Sequence, residues 1–155
     1  MLSCCRALGA VVEDAIEDRR LSSCDDKKLD RFVPAVTRGK VVAIYDGDTI
    51  TVAARHLRRG RPYLFSVRLA GIDSPEIRGK SEKEKEAARA SRDFLREQIL
   101  GKFVTLSSVK TEKYGRLLAT VLYRGRDVNQ LMVDRNYAVP YDGGKKPTFV
   151  DPDQV

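Results

Sequence analysis

Residues 43–52 read AIYDGDTITV, two aspartates on either side of a glycine between apolar runs. Upstream, VVAIY at 41–45 is continuously apolar, as expected of a strand in a closed or covered sheet. Downstream, TITVAA at 49–54 alternates and puts Ile50, Val52 and Ala54 on one face. Asp46-Gly47 between them is a strong hairpin signal. The turn accounts for Asp46 and Gly47 but has no need of Asp48, which falls where the second strand begins.

Working outward, HLRRGRP at 56–62 carries a second turn. YLFSVRLAGI then predicts a third strand, with Tyr63, Phe65, Val67 and Leu69 on one side and Ser66 and Arg68 on the other. Ser81 and Glu84 have capping-box spacing, and Ala87, Ala88, Ser91, Phe94, Leu95 and Ile99 form a stripe at helical period that Gly101 stops. FVTLSSV and LLATVLY supply strands four and five, and Asp127 with Gln130 caps a short helix ending near Asn136. Three strands, a long helix, two strands and a short helix are the order of a five-stranded Greek-key OB-fold barrel, an α+β arrangement, with a small open α+β sheet as the alternative.

Lys and Arg outnumber Asp and Glu by 29 to 22. Residues 1–39 hold seven of each sign, so the whole excess lies beyond them, where a polyanion partner or plain solubility would account for it. Cys4, Cys5 and Cys24 all precede residue 40, so no disulfide staples the main domain; an odd count at one end suits a reducing compartment, with S-acylation of the N-terminal pair open. No apolar run is long enough for a membrane span, no convincing signal peptide is present, and acids among the first twenty residues argue against a transit peptide, which leaves an intracellular chain of unspecified compartment. The expected organisation is an extension over 1–38 with a short amphipathic helix at 5–20 and a linker, a domain over 39–141, and a tail over 142–155.

A second acidic cluster changes the weight of DGD. In RLAGIDSPE, Asp73 and Glu76 leave the third strand, with Pro75 holding Ser74 away from helical angles. Arg68 and Asp73 are five residues apart, which on a straight strand would aim them at opposite faces; Gly71 offers a bend that resets the parity. Arg116 begins the fifth strand just past a tight turn. Asp48 and Asp73, with a backbone carbonyl near Ser74, make a hard oxygen set suited to Ca²⁺ or Mg²⁺, and without Cys or His nearby zinc is improbable. Arg68 and Arg116 can each give paired hydrogen bonds to phosphate oxygens, and Glu76 can orient or deprotonate water. Together these point to phosphodiester hydrolysis. His56, among hairpin arginines, and the alternating Lys80, Lys83, Lys85 and Glu82, Glu84, Glu86 read as surface.

AIYDGDTITV, VRLAGIDSPE, EKYGRLLAT and GRDVNQLMV, in this order over roughly residues 40–141, resemble the staphylococcal nuclease (thermonuclease) family. The resemblance implies an OB-fold, Ca²⁺-dependent nuclease that cuts DNA and RNA with little sequence preference and leaves 3′-phosphate ends; the chain is expected to act as a monomer and to prefer single strands. It puts Asp48 and Asp73 on the family's metal carboxylates, Ser74 on the carbonyl donor, Glu76 on the general base, and Arg68 and Arg116 on the phosphate-binding arginines. Lys113 and Tyr114 match residues flanking the nucleotide, and Tyr141 a tyrosine beside the substrate phosphate. Three departures stand out: the N-terminal extension, a longer hairpin through HLRRGRP, and YDGGKKPTFVDPDQV where the family enzyme has a further helix. The alternative is a non-catalytic nucleic-acid-binding module of the Tudor-nuclease kind; retention of all five charged positions argues against it.

Overall fold

The strand that opens the fold, β1 (Arg38–Ile44), is not buried along its whole apolar run: Val41 and Ile44 point into the core, while Val42 is 43% exposed. A bulge between Val41 and Ala43 shifts the register against β2 (Thr49–Ala54), which explains why a continuous apolar stretch buries only part of itself. The structure is a computed structural model that describes residues 16–25, 27, 32–79, 81–112 and 114–144. It divides at Phe32 into an N-terminal unit and a unit from Val33 onward. In the first, residues 16–22 are helical; the remainder of the helix expected over 5–20 lies outside the described residues. No helix among the described residues is long and apolar enough to cross a membrane.

From Val33 onward, β3 (Tyr63–Leu69) pairs with β2, and β5 (Phe103–Thr111) with β1 and with β6 (Leu117–Tyr123). A parallel pairing of β3 with β6, Val67 opposite Leu117 and Leu69 opposite Ala119, closes the ring in the order β3-β2-β1-β5-β6. This is a closed OB-type barrel, so the open-sheet alternative does not hold. Helix α1 (Glu82–Ile99) follows β3, with Ser81 accepting a hydrogen bond from the Glu84 N–H as its cap. Its buried face is Ala88, Ser91, Leu95 and Ile99; Leu95 and Ile99 are fully enclosed, so truncating either to Ala costs about 2–5 kcal/mol. Helix α2 (Val128–Asp134) is capped by Asp127 and stops where Asn136 turns left-handed, φ 59°.

Three short strands escaped the sequence pattern. β4 (Ile72–Asp73) pairs with β8 (Val139–Pro140), and β7 (Arg126–Asp127) with β6; each has two residues, too few for periodicity to register. The inward face of β3 also ends earlier than alternation suggests. Val67 and Leu69 are buried, but Tyr63 is 40% exposed, although its cross-strand partner Ala54 is buried.

Candidate active site

Asp48 leaves the β1–β2 turn with its backbone N–H donating to the Asp46 carboxylate at 3.1 Å. That contact is the turn chemistry anticipated for Asp46. Gly47 is required for a different reason: a Cβ built there would overlap the Ser91 hydroxyl and sit 2.8 Å from Ser74 Cβ. The bare backbone lets the turn press against α1, where Ser91 Oγ donates to the Tyr137 carbonyl at 2.8 Å.

The bend at the end of β3 is where parity is reset. Gly71 adopts φ 78°, beyond it Ile72 and Asp73 form β4, and the Tyr141 N–H donates to the Gly71 carbonyl at 2.9 Å. Asp73 thereby returns to the side occupied by Arg68. Arg68 Nη2 lies 2.8 Å from Asp73 Oδ1 and 3.1 Å from Asp48 Oδ2, and Nη1 donates to the Ile72 carbonyl at 3.1 Å. All three side chains are nearly buried, at 12%, 5% and 8% exposure for Arg68, Asp73 and Asp48. Asp48 also accepts from Thr49 Oγ1 at 2.9 Å and from the Ser74 N–H at 3.3 Å, so its charge is met by donors from three segments.

Asp46 behaves unlike an ordinary turn aspartate. Partial burial, and then the neighbouring Asp48 charge, push its pKa up from 3.8 to about 6. A third carboxyl therefore borders the pair, a feature the turn explanation concealed. Arg116 is paired with Glu112, its Nε donating at 2.6 Å and Nη2 at 3.0 Å. That bidentate pair holds the Arg116 guanidinium above its ordinary range, and the Asp48 and Asp46 charges add to the effect. Glu112 was invisible as a partner in the sequence because a tight turn, not a helix, brings residues four apart together: the Glu112 N–H donates to the Arg116 carbonyl at 2.9 Å, and Gly115 is left-handed at φ 79°.

Of the other candidates, Tyr141 lies beneath Arg68, whose guanidinium carbon is 5.6 Å from the ring centre. Glu76 is exposed two residues beyond Ser74, in a turn closed by the Gly79 N–H donating to its carbonyl at 2.8 Å. Tyr114 is 73% exposed at the tip of the Arg116 turn, and Lys113 lies outside the described residues. The structure thus gathers Asp48, Asp73, Ser74, Arg68 and Tyr141. It sets Arg116 beside them on its own partner and leaves Glu76 and Tyr114 at the margin.

One residue that supports this arrangement carried no recognisable signal. Asn129 on α2 is buried; its amide nitrogen donates to the Ala70 carbonyl at 2.8 Å and the Ala119 carbonyl at 3.2 Å, and its oxygen accepts from the Val121 N–H at 3.0 Å. It ties β6 to the exit of β3, the segment that carries Asp73.

As a metal site, the cluster offers hard oxygens on two enclosed carboxylates converging on one nitrogen, with Asp46 adjacent. Among the described residues no group of three or more His, Cys, Asp or Glu side chains forms a ready-made cage. An ion here would draw on Asp48, Asp73, backbone carbonyl and water, a donor set that fits Ca²⁺ or Mg²⁺.

Comparison with known proteins agrees with this geometry. The chain is 36% identical over 106 residues to an uncharacterized endonuclease of Escherichia coli, covering 67% of this chain and 61% of that protein. It is 35% identical over 105 residues to an uncharacterized protein of Bacillus anthracis, covering 66% and 46%, and 34% identical over 86 residues to a probable endonuclease of Schizosaccharomyces pombe, covering 51% and 37%. The chain thus spans from about a third to three fifths of the length of these curated relatives. The profile of the staphylococcal nuclease homologue family matches residues 66–153, more than half of the chain, from the arginine strand through the Arg116 turn and α2, and the chain belongs to that family.

Proposed function

We propose that the protein is a metal-dependent phosphodiesterase that hydrolyses DNA or RNA with low sequence specificity, water attacking phosphorus and a 3′-phosphate end remaining. The observation that carries this reading is the sharing of one guanidinium nitrogen by two buried carboxylates, one from the β1–β2 turn and one from β4. Such a cluster is costly to enclose for structure alone, and phosphoryl chemistry uses both of its charges.

In this reading Asp48, Asp73 and the Ser74 carbonyl hold a hard divalent cation, Ca²⁺ in the first place and Mg²⁺ as the alternative. The bound ion supplies charge neutralisation at the scissile phosphate and a polarised water. Arg68, already desolvated beside the carboxylates, donates to a nonbridging phosphate oxygen, and removing such a donor costs about 2–4 kcal/mol in barrier. Arg116 exchanges Glu112 for a second phosphate oxygen, a swap of one bidentate carboxylate partner for one phosphate partner. Glu76, exposed beside the cluster, orients the attacking water and accepts its proton. Tyr114 and Tyr141 border the nucleotide, and Lys113 contributes positive charge next to Tyr114.

The test is cleavage of single-stranded DNA and RNA by the full chain with calcium, with magnesium and with chelator, alongside Glu76→Gln. Cleavage should need a divalent ion, and Glu76→Gln should bind substrate while cutting at least 10²-fold more slowly. Binding without turnover under every ion would replace this reading with the non-catalytic module.

A further inference from the structure

The loop of the β2–β3 hairpin, residues 55–62, is one-sided in composition. From Thr49 through Ile72 the chain contains no Asp or Glu, while Arg55, Arg58, Arg59 and Arg61 crowd into seven positions. All four are exposed, and none is in an ion pair with a described residue. Arg68, Arg92 and Arg116, by contrast, each have a carboxylate within 3.1 Å. Four like charges on one short loop repel one another unless an external anion is present.

The arginines are interleaved with flat and apolar side chains. The Arg61 guanidinium carbon lies 4.8 Å from the Tyr63 ring centre, its Nε donates to the Tyr63 hydroxyl at 2.9 Å, and the His56 ring stands 5.5 Å from Tyr63. Leu57 and Leu64 remain 60% and 70% exposed. An acidic peptide or a lipid headgroup would use the charge alone; a polynucleotide uses the charge and the rings together.

The register sets this surface at the other end of β3 from Arg68. β3 and β6 are parallel with Val67 opposite Leu117, so tracing both strands backward brings Tyr63 and Leu64 to the same rim as the Tyr114–Arg116 turn. Along β3 the five residues from Arg68 to Tyr63 cover about 17 Å. An extended strand bridges that distance in a few nucleotides.

We infer that the β2–β3 hairpin is a second nucleic-acid contact, in which Arg55, Arg58, Arg59 and Arg61 hold phosphates and Tyr63 stacks a base of a single strand running from the Arg68–Arg116 site past Tyr114. The choice of polynucleotide rests on the nuclease reading, but the contact is read by binding and not by cleavage.

The experiment uses the full chain with Glu76→Gln, with and without Arg55→Gln, Arg58→Gln, Arg59→Gln and Arg61→Gln together. Fluorescence anisotropy measures oligo(dT) and oligo(rU) about 16 nucleotides long, the upper site size for one OB fold. Each phosphate contact is worth about fivefold near 0.1 M salt, so the quadruple change should weaken binding about 10²- to 10³-fold and lower the salt slope by about 3. Tyr63→Ala with the arginines intact should weaken it roughly tenfold. In the chain with Glu76 intact, turnover of a dinucleotide, too short to reach the hairpin, should stay within about twofold of the original in the quadruple variant. Unchanged affinity and slope for the long strand would overturn the inference, as would polyglutamate binding as tightly as the oligonucleotide. If the chain cuts nothing yet the hairpin variants lose long-strand affinity as stated, the nuclease reading fails and the hairpin contact stands.

Discussion

Replacing Arg68 by Gln separates the charge balance of the cluster from its chemistry. The guanidinium serves three acceptors at 2.8–3.1 Å, two of them carboxylates at 5% and 8% exposure. At an effective dielectric near 20, each charge pair about 4 Å apart between centres contributes about 4 kcal/mol of gross attraction, most of it offset by the desolvation of all three groups. Gln retains some hydrogen bonding but leaves two carboxylates enclosed near each other, so Arg68→Gln should cost about 3–5 kcal/mol at neutral pH. Urea unfolding in chelator measures this. A further arm constrains the cause. Millimolar Ca²⁺ should restore more stability to the variant than to the original chain, since a cation would replace the missing charge. A deficit below about 1 kcal/mol would show that the cluster is solvated and not charge-balanced by Arg68. A deficit unaltered by calcium would show that Arg68 acts by packing.

Asp46→Asn tests the adjoining carboxyl. With its folded pKa near 6 against an ordinary 3.8, the native state binds more protons than the unfolded one between those values, so Asp46 makes stability fall as pH rises through that window. The substitution should stabilise the metal-free protein by about 1–3 kcal/mol at pH 7, allowing for partial exposure, and the gain should vanish below about pH 4 in parallel urea titrations. Gly47→Ala forces a methyl onto the Ser91 hydroxyl and should cost about 1–3 kcal/mol; Ser91→Gly in the same chain should recover part of it in thermal unfolding. The Arg116–Glu112 pair is about a third and a fifth exposed, so Glu112→Gln should shift stability by no more than about 1 kcal/mol, and its effect should instead appear in kcat/KM for polynucleotide cleavage.

The barrel was readable because strand alternation and turn residues report local backbone geometry. DGDT at 46–49, the period of α1 and the Ser81 cap each specify their own neighbourhood. The central cluster was readable through one non-local step, the bend at Gly71 that reconciles Arg68 with Asp73. What stayed hidden depends on contacts between distant segments or on solvation. Nothing near Asn129 announces that its amide spans Ala70, Ala119 and Val121. The elevated Asp46 carboxyl follows from burial and from Asp48, neither of which a turn motif expresses. Glu112 looked like part of a charged turn until Arg116 folded back onto it. Tyr63 kept its place in the alternation yet lost its burial, because periodicity gives the direction of a side chain and not how much covers it.

Asn129 also sets an order on biosynthesis. The seam between β3 and β6 joins residues about fifty positions apart, and the amide that fastens it to Ala70 comes later still in the chain. A nascent polypeptide that has emerged only as far as β6 already carries both arginines and all of the site carboxylates, but not the clasp that holds Asp73's segment in place. Assembly of the site would then wait until α2 had emerged from the ribosome.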